Sequence, residues 1–298
     1  MPCQATILAV NTSCPPPSTQ AAAVTHYENF PVASWLCPPA LRQPIAAIYA
    51  FARAADDLAD EGNYSATERL ALLHDYRQEL HATAAGQPPQ HAQWQHIFAP
   101  LQHQIAQWQL PVHLLDDLIS AFVQDIEKTR DQTTYPDRQA LLDYCRRSAN
   151  PVGRLLLHLY GVNDATALAQ SDAICTALQL INFWQDLSED IPRQRHYLCD
   201  ADCEQFGVSR QDLAAQQVTP AIAQLIDSNL AWARSSMQAG APLVHRLPGR
   251  VGWELRLVVQ GGLCILDKVQ AQHGASLHTR RTVHAWDAPR MLWQAAWM

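Results

Sequence analysis

From Pro111 to Arg130, apolar side chains return every third or fourth position, at Leu114, Leu115, Leu118, Ile119, Phe122 and Ile126. That period fits an amphipathic α-helix and is incompatible with a strand. Elsewhere, alternating patterns are short and β-branched residues sparse, while Ala, Leu and Gln dominate, so helix is the default. A first helix is expected to open at Pro38-Pro39 and run to about Glu61, where Gly62-Asn63 suits an exit. Ser65 with Glu68 forms a capping-box pattern for a helix to about Ala85, and Gly86–Pro89 breaks it. Further helices are expected over 91–108, 111–130, 137–148, 152–160, 164–191, 220–239 and 250–274. No linker divides them, so the reading is a single all-α domain over 23–298. Residues 1–22, with Cys14-Pro15-Pro16-Pro17 and no basic leader, read as a flexible tail.

At 298 residues and 48% hydrophobic, the chain can bury a large core. A net charge of −7 gives nucleic acid no electrostatic foothold, so no such partner is expected. Eight scattered cysteines without a CxxC or zinc spacing read as buried free thiols in a reducing cytosol. No apolar run reaches the roughly 18 residues of a membrane span. The expected location is the cytoplasm, with peripheral contact at the inner membrane as the alternative. Arg246, Arg250, Arg256, Arg280 and Arg281, with Trp286 and Trp293, fit either an anionic membrane surface or a solvated basic end.

Two acidic helical stretches set the chemistry. FARAADDLADEGN (residues 51–63) places Asp56 and Asp60 four apart, with Asp57 between them. QLINFWQDLSEDIPRQRHY (residues 179–197) spaces Asn182, Asp186 and Asp190 by four, which stacks them on one helical face, with Gln179 nearby. Like charges at this spacing destabilise a helix. A lone DDxxD is often a solvated helix end. The second set, however, lies among Leu180, Ile181, Phe183, Trp184 and Leu187, where unpartnered carboxylates are costly. Hard divalent cations prefer oxygen ligands and take carboxylates together with substrate phosphate, so two such stripes facing each other could hold Mg²⁺ over a diphosphate.

These motifs resemble the squalene/phytoene synthase family over about His26 to Arg281. Three segments carry the resemblance: Tyr49-Ala-Phe51-Ala-Arg53 leading into Asp56-Asp57-Leu-Ala-Asp60, YCRRSANPVGRLLL (Tyr144–Leu157), and Asn182-Phe-Trp-Gln-Asp186 with Asp190, Arg195 and Tyr197. It implies a trans-isoprenoid synthase bundle of the class I terpenoid synthase type, with a central cavity and about two or three Mg²⁺ ions. Asp56, Asp57, Asp60, Asn182, Asp186 and Asp190 become metal ligands or their supports. Arg53 and Arg195 become diphosphate contacts, with Tyr197 and Gln179 beside them. His26, Asn29, Phe30, Tyr49 and Tyr144 border the prenyl chain, and Asp56, Asp60, Asp186, Asp190, Tyr49 and Tyr144 form the catalytic set.

Departures from condensing members point to one branch. Gln185 stands where those members usually carry Arg, Ser148-Ala149-Asn150 replaces VAG, and HYENFPVAS (His26–Ser34) replaces a Ser-containing entry segment. Together they resemble the hopanoid-pathway HpnC branch of hydroxysqualene synthases. That branch ionises presqualene diphosphate and lets water capture the rearranged cation without NADPH, and no GxGxxG is present here. Association with other squalene-pathway enzymes goes with this resemblance. Gln185 and Asn150 are the positions expected to tune water capture. The rivals are a head-to-head condensing synthase, a non-catalytic relative acting as an assembly factor, and a helical interaction protein with solvated acids.

Overall fold

A computed structural model describes residues 37–298, and among them every regular element is helical. The chain runs α1 (Arg42–Asp60), α2 (Ala66–Ala84), α3 (Gln95–Trp108), α4 (Val112–Asp131), α5 (Arg138–Ser148), α6 (Asn150–Leu159) and α7 (Ala165–Gln185). Then follow α8 (Leu187–Asp190), α9 (Asp200–Gln205), α10 (Arg210–Ala214), α11 (Pro220–Gly240), α12 (Gly249–Gln270) and α13 (Ala288–Ala296). The domain is single and all-α, as the periodicity predicts. The proposed tail at 1–22, together with His26, Asn29 and Phe30, lies outside the described residues.

Local signals explain most boundaries. A short 3₁₀ turn over Pro39–Leu41 precedes α1, and Gly62 at φ +77° turns the chain away after it. Ser65 and Glu68 close the expected capping box, each satisfying the other's backbone N–H. Ala92–Trp94 form a separate 3₁₀ turn, so α3 starts later than its pattern implies.

The expected helix over 164–191 is interrupted. Asp186 leaves helical geometry (φ −101°, ψ 14°), and α8 resumes for a single turn. Backbone bonds still pass through the break, from Asp186 N–H to the Asn182 carbonyl and from Asp190 N–H to the Asp186 carbonyl, both 2.9 Å. The acidic set therefore stays on consecutive turns while the axis bends.

Two core clusters flank the central space. One surrounds Phe51, Tyr76 and Phe98, packed ring on ring across α1, α2 and α3, with Tyr76 donating to the Phe51 carbonyl at 3.0 Å. The other joins α7, α11 and α12. The closest of these approaches is at Gly240, where an added Cβ would stand 2.6 Å from the Gln170 carbonyl on α7. The described cysteines are free thiols, all buried except the half-buried Cys203.

Candidate active site

On α1, Ile45, Ile48, Tyr49, Ala52, Asp56 and Asp60 share one face, and that face lines a cavity of about 600 Å³. Ile174, Cys175, Leu178, Gln179 and Asn182 on α7, with Asp186 at its C-cap, line the same cavity. Both helices thus run from apolar to acidic, so the cavity has an oily floor and an acidic mouth. From Ile45 to Asp60 the wall is about 22 Å long at the helical rise per residue. The apolar part continues over Phe122, Leu155, Leu243, Leu247, Val251 and Val258.

The structure brings Tyr49, Arg53, Asp56, Asp60, Tyr144, Gln179, Asn182, Asp186, Asp190, Arg195 and Tyr197 together around this one space. Asp57 is different: it does not line the cavity, and its carboxylate pairs with Arg53 at 2.7 Å. A smaller pocket of about 290 Å³ shares Asp190, Arg195 and Tyr197, but it contains none of the α1 acids.

Arginines hold the mouth acids. Arg53 pairs with Asp56 at 3.1 Å and with Glu61 at 2.9 Å. Arg195 grips both oxygens of Asp60 across 135 positions of sequence, one of them at 3.0 Å. Arg280 donates from Nε to Asp186 at 2.5 Å. These acids occupy the last turn of α1 and the C-terminal end of α7, where the helix dipoles are already negative. Added positive charge is what such a placement favours. Burial first, and then the neighbouring Asp186, push Asp190 up to about 7, against the opposing pull of Arg195 and Arg193.

Deeper in, aromatic rings surround one more acid. Tyr197 stacks on Phe183 with centroids 3.8 Å apart, and Tyr144 and Tyr135 pack beside Tyr197. Tyr144 donates its hydroxyl to Asp125 at 2.5 Å, and burial pushes Asp125 up to about 7. Sequence reasoning missed Asp125, although an acid between Phe122 and Ile126 on the apolar stripe of α4 was a readable signal. Glu189, Arg193 and Arg280 also line the mouth and were missed. Arg280 had no local signal, since it meets Asp186 from 94 positions away.

Two expectations are corrected. Neither Gln185 nor Asn150 lines the cavity. Gln185 is buried and donates to the Arg281 carbonyl, which ties the segment after α12 to the second acidic motif. Asn150 is buried between α6 and α7 and accepts from Thr176 at 3.0 Å, so its role is packing.

An all-helical vessel with an acid-and-arginine mouth and an apolar, aromatic floor defines a class of enzymes that process prenyl diphosphates. The family model for squalene/phytoene synthase matches residues 23–287, and the chain belongs to that family. A hydroxysqualene synthase of Rhodopseudomonas palustris is 33% identical over 78% of this chain and 75% of its own length. A presqualene diphosphate synthase of Zymomonas mobilis is 29% identical over 82% and 80%. The crystal structure of squalene synthase HpnC from Alicyclobacillus acidocaldarius superposes with a TM-score of 0.74 at 37% identity, over 83% of this chain and 90% of that one.

Proposed function

We propose that the protein is a hydroxysqualene synthase, which ionises presqualene diphosphate and adds water to the rearranged cation. The observation that supports this most is the single cavity joining the acidic mouth to an aromatic, apolar floor. The resemblance to hydroxysqualene synthases at 33% identity narrows the chemistry.

Among the described residues no three His, Cys, Asp or Glu side chains converge closely enough to hold a metal by themselves. The donors that line the mouth are carboxylate and amide oxygens, a set that fits Mg²⁺ completed by water and substrate phosphate. Asp56, Asp60, Asn182, Asp186 and Asp190 would hold the ions, with Asp57 kept beside them by Arg53. Bound there, Mg²⁺ would neutralise the diphosphate and make it a better leaving group.

The chain's own residues do the rest. Arg53 and Arg195 orient the diphosphate, with Gln179 beside them, and the electron pair of the breaking C–O bond leaves with it. Tyr49, Tyr144, Phe183 and Tyr197 present ring faces that stabilise a nearby cation without trapping it. The oily floor keeps bulk water from the rearranging chain. One water then forms the new C–O bond and loses a proton, and Asp125 is the carboxylate placed among those rings to take it. His26, Asn29 and Phe30 keep their prenyl-bordering roles by resemblance alone. The reaction takes place in the cytoplasm, next to the squalene-pathway enzymes that make the substrate and use the product, and it uses no NADPH.

The second reading is a condensing prenyltransferase, favoured by the similarity to a presqualene diphosphate synthase over four-fifths of the chain. Product analysis separates the two. Presqualene diphosphate with Mg²⁺ is expected to give hydroxysqualene whether or not NADPH is added, and farnesyl diphosphate alone no C30 product. Squalene formed only with NADPH, or C30 product from farnesyl diphosphate alone, overturns the proposal.

A further inference from the structure

Seven large hydrophobic side chains are exposed among the described residues, and five of them cluster in the last two helices and the turn before α13: Trp253, Trp286, Leu292, Trp293 and Trp297. Surface helices normally turn polar residues outward. In α13 the inward side is Ala295 with Met291, while Leu292, Trp293 and Trp297 face solvent, the last two 67% and 76% exposed. Trp293 and Trp297 sit one turn apart with ring centroids at 5.6 Å. Arg256 fastens this face to α12, donating to the Ala295 carbonyl at 3.1 Å while lying over the Trp253 ring. The patch is therefore continuous from α12 across α13.

Charge is distributed unevenly along the chain, although Arg246, Lys268, Arg280 and Arg290 are paired with carboxylates. Residues 241–298 carry seven basic and three acidic side chains, within a chain whose net charge is −7. Arg250 and Arg290 are exposed, each three positions before an exposed tryptophan (Trp253 and Trp293), and Arg290 also pairs with Asp267 at 2.7 Å. No described helix is long and apolar enough to cross a membrane, so the patch can lie on a bilayer but not span it. Tryptophan and arginine on one face is the composition that settles at the headgroup level of anionic lipid. Position supports this further: α12 lines the oily floor with Val251, Leu255 and Val258 on one side and carries Trp253 and α13 on the other.

We infer that the α12–α13 face docks the protein onto an anionic lipid bilayer, with the tryptophans in the headgroup layer. The apolar end of the cavity then stands one helix away from the lipid. The inference holds whichever prenyl diphosphate the cavity takes.

Sedimentation of the full chain with vesicles tests it, using phosphatidylcholine alone and phosphatidylcholine mixed with phosphatidylglycerol. The protein is expected to pellet with the mixed vesicles, to release with salt, and to stay in solution with phosphatidylcholine alone. W293S/W297S is expected to lower the bound fraction about tenfold or more, and Arg250→Gln about fivefold, on anionic vesicles only. All three substituted positions are exposed, so turnover of detergent-dispersed substrate should be unchanged. A wild type that stays in solution with both vesicles overturns the inference, as does a W293S/W297S protein that pellets like wild type. If the double variant instead dissociates an oligomer while vesicle binding is unaltered, the face belongs to a second copy and the lipid assignment is wrong.

Discussion

Arg195 reaches Asp60 with two donors in a fork that matches the carboxylate, and lysine could not reproduce that geometry. On the proposed function the same guanidinium orients the diphosphate, so Arg195→Gln is expected to lower kcat/KM by about 10²-fold. Steady-state kinetics with circular dichroism as a folding control checks this. Asp125 makes a pH prediction. Its proton is held more tightly in the folded chain than in the unfolded one, because burial raises it from 3.8 to about 7. Stability from this group is complete below its ordinary value and falls as pH rises towards 7. Asp125→Asn, which still accepts from Tyr144, should therefore show a shallower decline of Tm between about pH 4 and 7. An unchanged slope would remove Asp125 as its source. Asp56, Asp60, Asn182 and Asp186 were legible because each pair lies within one turn of sequence. Asp125 was readable as an acid on the apolar stripe of α4 but carried no motif of its own, and Arg280 came from a segment whose position only the tertiary fold sets.

At the level of elements, the long helices were legible because each buries one stripe, whereas α9 and α10 have six and five residues, too few for periodicity. α13 was not read either, because its nine residues are too few to establish a period. The bend at Asp186 was not visible because Asn182, Asp186 and Asp190 keep four-residue spacing through it. Helix contact carries two stability predictions. Gly240→Ala would drive a methyl into the Gln170 carbonyl and the Ile174 N–H, and is expected to cost about 1–3 kcal/mol in a denaturant titration. Asn150→Ala leaves the Thr176 hydroxyl without its acceptor at a cost of about 1–3 kcal/mol, with the product unchanged. A new product from Asn150→Ala would return that residue to the chemistry.

For the whole molecule, the ion pairs at the mouth would, on the proposed function, separate folding from metal loading. Arg53, Arg195 and Arg280 already neutralise much of the charge that α1 and α7 gather there. Chelation with EDTA is accordingly expected to abolish turnover while Tm moves by only a few degrees, since no fold-defining metal cage is lost. Differential scanning calorimetry beside an activity assay decides this, and cooperative unfolding on chelation would contradict it. The Arg195–Asp60 pair has a consequence for binding as well. On the proposed function, an incoming diphosphate would draw Arg195 away from Asp60, and Asp60 would be freed to hold an ion. Each is then expected to bind more tightly when the other is present.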